Sequence, residues 1–429
     1  MTIPCLNQPW KADICLPGSK SLTNRALLIA ALARGNSKLR GVLLADDTQH
    51  MKNSLTHLGI LFRQQKDTLE VTGRGGHLQP YSAPLYTGNA GTVARFLTVA
   101  LNLGEGHYIL DGDAEMKLRP IRDLTETLTA NGCDIHHLQT NNSLPLKITA
   151  RGFPGGDLHI SGKNSSQYIS ALMMAAPFAH KPVTIRIKGP PVSSSYIHMT
   201  RQIMTEFGAI CHHDSENILH IARGGYQGRS YDIEGDASSA SYLFAAAAIT
   251  GGEANVRGLS SGSSQGDLGF LQLLQQMGCD IEHKGNTMCV RGKGSRLNAI
   301  QVDMNSMSDI VPTLAVTALF ARGTTVIRNV ANMRIKECDR ITAIVTELRK
   351  TGASVEEFED GLAVTGEQSL GPALLETWKD HRMAMALSLI GLRIPGIRLT
   401  NPGCVSKTFP EFFEMLKQGY QNCQDIWSD

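Results

Sequence analysis

The sequence predicts an α/β protein of repeated units, with buried helices inside and strands outside. Three observations carry that reading. A helix-and-strand pattern recurs along the chain, one helix of each unit is apolar nearly all round, and the chain is 429 residues long. That length exceeds the roughly 250–300 residues at which one hydrophobic core stops growing, so two or three domains are expected.

Each repeat has two halves. The first is an Ala/Leu-rich stretch, then Gly or Pro/Lys punctuation, then β-branched residues: 26–35 before 39–44, 94–106 before 107–110, 170–181 before 183–188, 241–252 before 254–256, 313–323 before 324–329, and 383–395 before 396–400. These six copies are spaced by roughly 70 residues, longer than common solenoid periods. The second half is an amphipathic helix followed by a hairpin: 47–58 with 60–72, 122–131 with 133–150, 197–207 with 209–222, 268–277 with 279–290, and 339–350 with 353–365. A last helix over 409–418 has no hairpin, because the chain ends. Stretches such as 171–176 and 245–249 are apolar on every side and call for burial, whereas 339–350 carries a charged face. Repeated α/β units of a doubly wound sheet remain an alternative at this level.

Composition narrows the function. With 42% hydrophobic and 19% charged residues the chain is neither disordered nor membrane-embedded. No apolar run approaches a membrane span, and the start lacks a basic then apolar leader, so the cytoplasm is the expected location. Nine cysteines without a Cys-x-x-Cys pair form neither a disulfide framework nor a zinc site. A net charge of +2 is too balanced for a general nucleic-acid or anionic-membrane surface, so attraction for anions must come from clustered Lys and Arg.

Such clusters sit at helix lead-ins, where exposed N–H groups already favour anions. Residues 16–25 place Lys20, Ser21 and Arg25 around a helix start after Pro17-Gly18. Residues 88–92 (Gly-Asn-Ala-Gly-Thr) supply Asn89 and Gly91, where glycine permits close backbone approach. Arg119 precedes Pro120 at another helix start and suits bidentate anion capture; Ser165, Ser166 and Gln167 offer hydroxyl, amide and backbone donors. In 332–340, Glu337 stands among Arg334, Lys336 and Arg340, so proton transfer is open to it. Asp309 precedes an apolar helix as a base or an N-cap; Asp380-His381-Arg382 and Lys407 complete the set. Each signal alone is matched by a bland one: a basic N-cap, an unliganded turn, a surface Arg, a solvated ion-pair face. Their recurrence at corresponding positions of six units argues for one composite site for polyanionic ligands. The chain lacks a Gly-x-Gly-x-x-Gly fingerprint, a Walker lysine and Cys/His metal spacing, so no cofactor and no metal are expected.

In order along the chain, residues 16–25, 88–92, 119–120, 165–167, 234–240, 336–340, 380–383 and 407–410 resemble the 5-enolpyruvylshikimate-3-phosphate synthase family of enolpyruvyl transferases. The resemblance implies a two-domain inside-out α/β barrel of βαβαββ repeats, three per domain, with helices inside and sheets outside. It places 1–19 with 235–429 in one domain, 20–234 in the other, and the active site in the cleft between them. It implies transfer of the enolpyruvyl group of phosphoenolpyruvate to the 5-hydroxyl of shikimate 3-phosphate by addition and elimination. Both small molecules are the expected partners of a monomer that binds neither nucleic acid nor membrane.

The resemblance further implies that Lys20, Ser21, Arg25, Ser165, Ser166 and Gln167, with Ser193, Tyr196, Asn332 and Lys336, hold shikimate 3-phosphate. Lys20, Asn89, Gly91, Arg119, Gln167, Arg340, Arg382 and Lys407 would hold phosphoenolpyruvate. Asp309, which also touches shikimate 3-phosphate, takes the proton of the 5-hydroxyl; Glu337 protonates the methylene carbon, assisted by Lys20. One departure is local: the family often reads Ala-Met-Arg-Pro after Gly-Thr, and this chain has Val93-Ala94-Arg95-Phe96. Catalysis is expected to survive it, while sensitivity to glyphosate, which occupies the phosphoenolpyruvate position in this family, is expected to differ. A related UDP-N-acetylglucosamine enolpyruvyl transferase would carry a reactive Cys five residues before Arg119-Pro120, where this chain has Ala114. A non-catalytic binder of phosphorylated metabolites would need neither Asp309 nor Glu337.

Overall fold

The computed structural model of the chain describes residues 1–139, 142–214, 217–293 and 297–420. The chain divides into two compact units, Gly18–Ile233 and Met1–Pro17 with Glu234–Asp429, each with its own hydrophobic core.

In the Gly18–Ile233 unit the helices in chain order are α1 (Lys20–Leu32), α2 (Asp46–His57), α3 (Gly91–Ala100), α4 (Arg122–Ala130), α5 (Ser166–Ala175) and α6 (Ser195–Glu206). Two kinds alternate, as their composition dictates. Every residue of α1 from Leu22 to Leu32 and every residue of α3 is buried. In α2 only one face is buried, through residues such as Met51 and Leu55. Three separate four-stranded sheets surround these helices, and their wiring is the same each time. A leading strand runs parallel to the strand that follows the buried helix, and a hairpin closes the other side antiparallel. One example is Gly156–Ser161 beside Val183–Lys188, then Ile218–Ile221 and Cys211–Asp214. The first sheet takes its leading strand, Ser230–Asp232, from the far end of the unit.

The second unit holds α7 (Ala237–Thr250), α8 (Phe270–Gln276), α9 (Val311–Ala318), α10 (Arg340–Lys350), α11 (His381–Gly391) and α12 (Phe412–Lys417). Its first four-stranded sheet borrows Lys11–Cys15 from the N-terminus as the parallel partner of Glu253–Arg257. Its second is built on Thr324–Arg328. The third repeat pairs only Leu374–Leu375 with Arg398–Leu399 among the described residues, plus a bridge from Thr2. Alanines 245–248 keep α7 thin, so neighbouring backbone comes very close. A Cβ on Gly292 would lie 1.9 Å from the Ala247 carbonyl oxygen, and one on Gly366, at the matching place of the next repeat, 1.9 Å from that of Ala321.

Burial along the strands decides between the two architectures left open by the sequence. Val183, Ile185 and Ile187 are buried while Arg186 and Lys188 are exposed, and Leu146–Arg151 alternates in the same way. A doubly wound sheet covers both faces; here helices cover one and water the other. No sheet closes on itself among the described residues, so the interior of each unit is a set of buried helices faced by open sheets.

Two boundaries differ from expectation. The apolar runs that open at 26 and 94 start inside helices that begin at Lys20 and Gly91, since such a run marks burial and not the first turn. The polar lead-ins are therefore themselves helical. Gly35 and Gly106 do not end helices but sit in strands Arg34–Arg40 and Glu105–Asp111, with φ of 85° and 102°.

Candidate active site

In the Gly18–Ile233 unit the N-terminal turns of the three buried helices meet. Asn24 Nδ2 of α1 donates to Thr92 Oγ1 of α3 at 2.9 Å, and Arg25 Nη2 donates to Ser170 Oγ of α5 at 3.1 Å. Arg25 is 1% exposed and spends its other donors on neutral oxygens: Thr200 Oγ1 at 2.7 Å, the Ser21 carbonyl at 2.9 Å and the Tyr196 carbonyl at 3.4 Å. Its guanidinium lies 5.3 Å from the Phe96 ring centroid and 5.7 Å from that of Tyr196. No carboxylate lies within ion-pair reach of it among the described residues, and burial pulls the guanidinium down to about 10.

The remaining predicted residues of this unit surround the same helix ends. Lys20, in the first turn of α1, lies 3.4 Å from the buried Asp47 carboxylate at the start of α2. Arg119 is buried rather than a surface arginine; its Nη1 donates to the Asn89 carbonyl at 3.1 Å and to Asn89 Oδ1 at 3.0 Å. A Cβ on Gly91 would stand 2.7 Å from Arg119 Nη2, so a side chain there would have to displace that guanidinium. Ser165 caps α5 by accepting from the Gln167 N–H at 3.2 Å; Ser166 is buried, and Gln167 is partly open. Ser193 holds φ 52° just before α6, whose first turn contains Tyr196.

The second unit gathers the other predicted residues into a carboxylate-and-cation cluster. Asp309 does not cap α9. Its carboxylate accepts from Arg382 Nη2 at 2.9 Å and from Arg340 Nη1 at 3.3 Å, and lies 3.4 Å from Lys336 Nζ. Glu337 is held by Arg340 Nη2 at 2.7 Å and Lys407 Nζ at 3.0 Å. The run 336–340 is thus no solvated face: the side chains of Glu337 and Arg340 are 7% and 2% exposed. Asn332 Nδ2 donates to Ser308 Oγ at 3.1 Å, and its Oδ1 is buried without a partner.

Two carboxylates in this cluster were not singled out for chemistry from the sequence. Asp380 caps α11, accepting from the Arg382 N–H at 2.8 Å, and pairs with Arg340 Nε at 2.7 Å. Asp267 is 5% exposed and accepts from Ser238 Oγ, while its Oδ1 has no partner. Burial first, and the Asp309 carboxylate second, push Asp267 up to about 6. Asp380 had a signal, its place just before a buried helix. A single Asp in Gln265-Gly266-Asp267 carries no spacing pattern that points to Ser238.

Comparison with known proteins agrees with this picture. The sequence pattern of the EPSP synthase (3-phosphoshikimate 1-carboxyvinyltransferase) family matches residues 6–416. Relatives named 3-phosphoshikimate 1-carboxyvinyltransferase include that of Trichormus variabilis, 44% identical over 96% of this chain and 97% of its own. The relative from Aliivibrio fischeri is 46% identical over 95% and 96%. The fold matches the structure of EPSP synthase from Acinetobacter baumannii with a TM-score of 0.82 at 24% identity, covering 98% of both chains. With that family pattern along nearly the whole chain and relatives of 44% and 46% identity, the chain belongs to the EPSP synthase family, the 3-phosphoshikimate 1-carboxyvinyltransferases.

Proposed function

We propose that these two clusters hold the two substrates of 3-phosphoshikimate 1-carboxyvinyl transfer, the family's step in aromatic amino acid biosynthesis. In that reaction the enolpyruvyl group of phosphoenolpyruvate passes to the 5-hydroxyl of shikimate 3-phosphate, and inorganic phosphate is released. The observation that supports the assignment of roles is the pair Asp309 and Glu337, two carboxylates gripped by the same buried Arg340 among three further cations.

Both carboxylates are ion-paired. Phosphoenolpyruvate brings a carboxylate and a phosphate for which Arg340, Arg382 and Lys407 are suitable partners, together with Lys20, Asn89, Gly91, Arg119 and Gln167. As those cations turn to the ligand, the Glu337 carboxylate loses its ion-pair partners, takes up a proton from solvent and passes it to the methylene carbon of phosphoenolpyruvate, assisted by Lys20. Cationic character then develops at the neighbouring carbon. The 5-hydroxyl oxygen adds there while Asp309 takes the hydroxyl proton, and a tetrahedral ketal forms. In the elimination Glu337 recovers a proton from the methyl group, the double bond reforms and phosphate leaves. Shikimate 3-phosphate is held by Lys20, Ser21, Arg25, Ser165, Ser166, Gln167, Ser193, Tyr196, Asp309, Asn332 and Lys336. Buried Arg25, with no carboxylate of its own, is complementary to an anionic ligand.

The substrates are small, highly charged and confined by membranes, and no described helix is long and apolar enough to cross one. A cytoplasmic monomer fits this reading; large exposed apolar side chains such as Leu61, Leu118 and Ile210 are scattered along the sequence. Light scattering on the purified protein tests the monomer.

The deciding experiment is phosphate release from phosphoenolpyruvate with shikimate 3-phosphate. Glu337→Ala, Asp309→Ala and Lys20→Met are each expected to lower kcat by about 10²–10⁴-fold with an unchanged circular dichroism spectrum. Near-parental turnover in Glu337→Ala removes its role as the acid. Turnover with UDP-N-acetylglucosamine in place of shikimate 3-phosphate overturns the substrate.

A further inference from the structure

The reaction as described makes no use of Glu347, yet this carboxylate is 0% exposed, on the helix whose sequence assigns it a solvent-facing charge. Its helical partner Lys350 is half out in water and places Nζ 2.8 and 2.7 Å from the two Glu347 oxygens. That pair alone gives no reason for burial, since a surface pair three residues apart would form without desolvating either charge. The other acceptor positions of Glu347 reach outside α10. The backbone N–H of Glu376 donates to Oε2 at 2.9 Å and Trp378 Nε1 donates to Oε1 at 2.9 Å.

The segment so held is strained. Trp378 and Lys379 are successive non-glycine residues with φ of 53° and 51°, in the left-handed region that bulky L-residues rarely enter. The next residue is Asp380, which caps α11 through the Arg382 N–H and fixes Arg340 Nε at 2.7 Å. The 376–379 turn therefore leads directly into the residue that caps α11, two positions before Arg382.

We propose that Glu347 is a positioning residue for Arg382. By accepting from Trp378 Nε1 and the Glu376 N–H it keeps the 376–379 turn in its strained form, and so pre-places the guanidinium that receives phosphoenolpyruvate. A carboxylate suits this task because it is acceptor-only and meets three donors at once; an amide would bring two N–H donors into a buried place already filled with donors. The inference rests on the reading that Arg382 holds phosphoenolpyruvate.

The test is steady-state kinetics of Glu347→Gln and Trp378→Phe, with Arg382→Lys measured alongside. Both remote variants are expected to raise KM for phosphoenolpyruvate by about tenfold while KM for shikimate 3-phosphate moves by less than about twofold, with kcat falling less than KM rises. Combining Glu347→Gln with Arg382→Lys is expected to raise it by less than the product of the two single effects. A merely structural Glu347 would lower the active fraction, and kcat with it, without separating the two KM values. If Glu347→Gln does not fold, Trp378→Phe, which keeps an aromatic side chain and loses the indole N–H, carries the test. An unchanged KM for phosphoenolpyruvate in the folded variants, with a raised value in Arg382→Lys, overturns this inference alone. An unchanged value in Arg382→Lys overturns the reading beneath it as well.

Discussion

Arg25 shows what a single buried charge says about a missing partner. Its donors end on Thr200, Ser21, Ser170 and Tyr196, all neutral. Thr200 and Ser170 also bond to each other at 2.8 Å, so removing the guanidinium leaves them satisfied. Arg25→Met is therefore expected to keep or raise the melting temperature, while kcat/KM for shikimate 3-phosphate falls by about 10–10²-fold, the worth of one charged hydrogen-bonding partner. A variant that melts well below the parent shows instead that Arg25 is structural. Asp267 gives a second test, by pH. Its carboxyl is raised from the ordinary 3.8 to about 6, so the folded protein holds the proton more tightly than the unfolded chain does. That contribution is full below pH 3.8 and is lost as pH rises through about 6. Asp267→Asn cannot ionise and is expected to gain on the parent between pH 4 and 7, approaching on the order of 3 kcal/mol in denaturant titrations. A pH-independent difference rules out the raised carboxyl. Lys20, Asp309 and Glu337 were visible in the sequence because they lie in lead-ins that recur; Asp267 and Glu347 were not, because each acts through a residue distant in sequence. Glu347 lies in the helix 339–350, whose charged face gives no hint of its burial.

Among the elements, α3 carries the local departure from the family. Phe96 is wholly buried, and its ring forms one wall beside Arg25. Proline at this place would remove the amide that an α-helix spends on the carbonyl four residues earlier, here that of Thr92, at a cost of about 3 kcal/mol unless the helix bends. Bending would shift Gly91 and the Arg119 guanidinium packed on it. The glyphosate inhibition constants of the protein and of Phe96→Pro are expected to differ by about threefold or more, a gap of roughly 0.65 kcal/mol. Equal constants show that the helix start is indifferent to residue 96. Periodicity made the buried and amphipathic helices legible as kinds, and the polar lead-ins marked their starts: Lys20 and Ser166 are the first residues of α1 and α5.

For the whole molecule, each unit has its own core, and the residues proposed for shikimate 3-phosphate are drawn from both. A ligand at about 100 times its dissociation constant stabilises what it binds by about 2.7 kcal/mol. Calorimetry is expected to show that shikimate 3-phosphate raises the melting temperature, and Arg25→Met and Lys336→Met are each expected to abolish most of that rise. An unchanged melting temperature contradicts the assignment of these residues to the ligand. The repeat, the two kinds of helix and the family were determined by the sequence itself, because apolar periodicity and the order of recurring motifs are written along the chain. The tertiary structure alone decided that the sheets have one wet face, that Arg340 grips three carboxylates, and that Glu347 reaches the turn before Arg382. Those outcomes depend on which distant residues share a buried, low-dielectric space, and a linear pattern does not encode the cost of leaving a charge there unpaired.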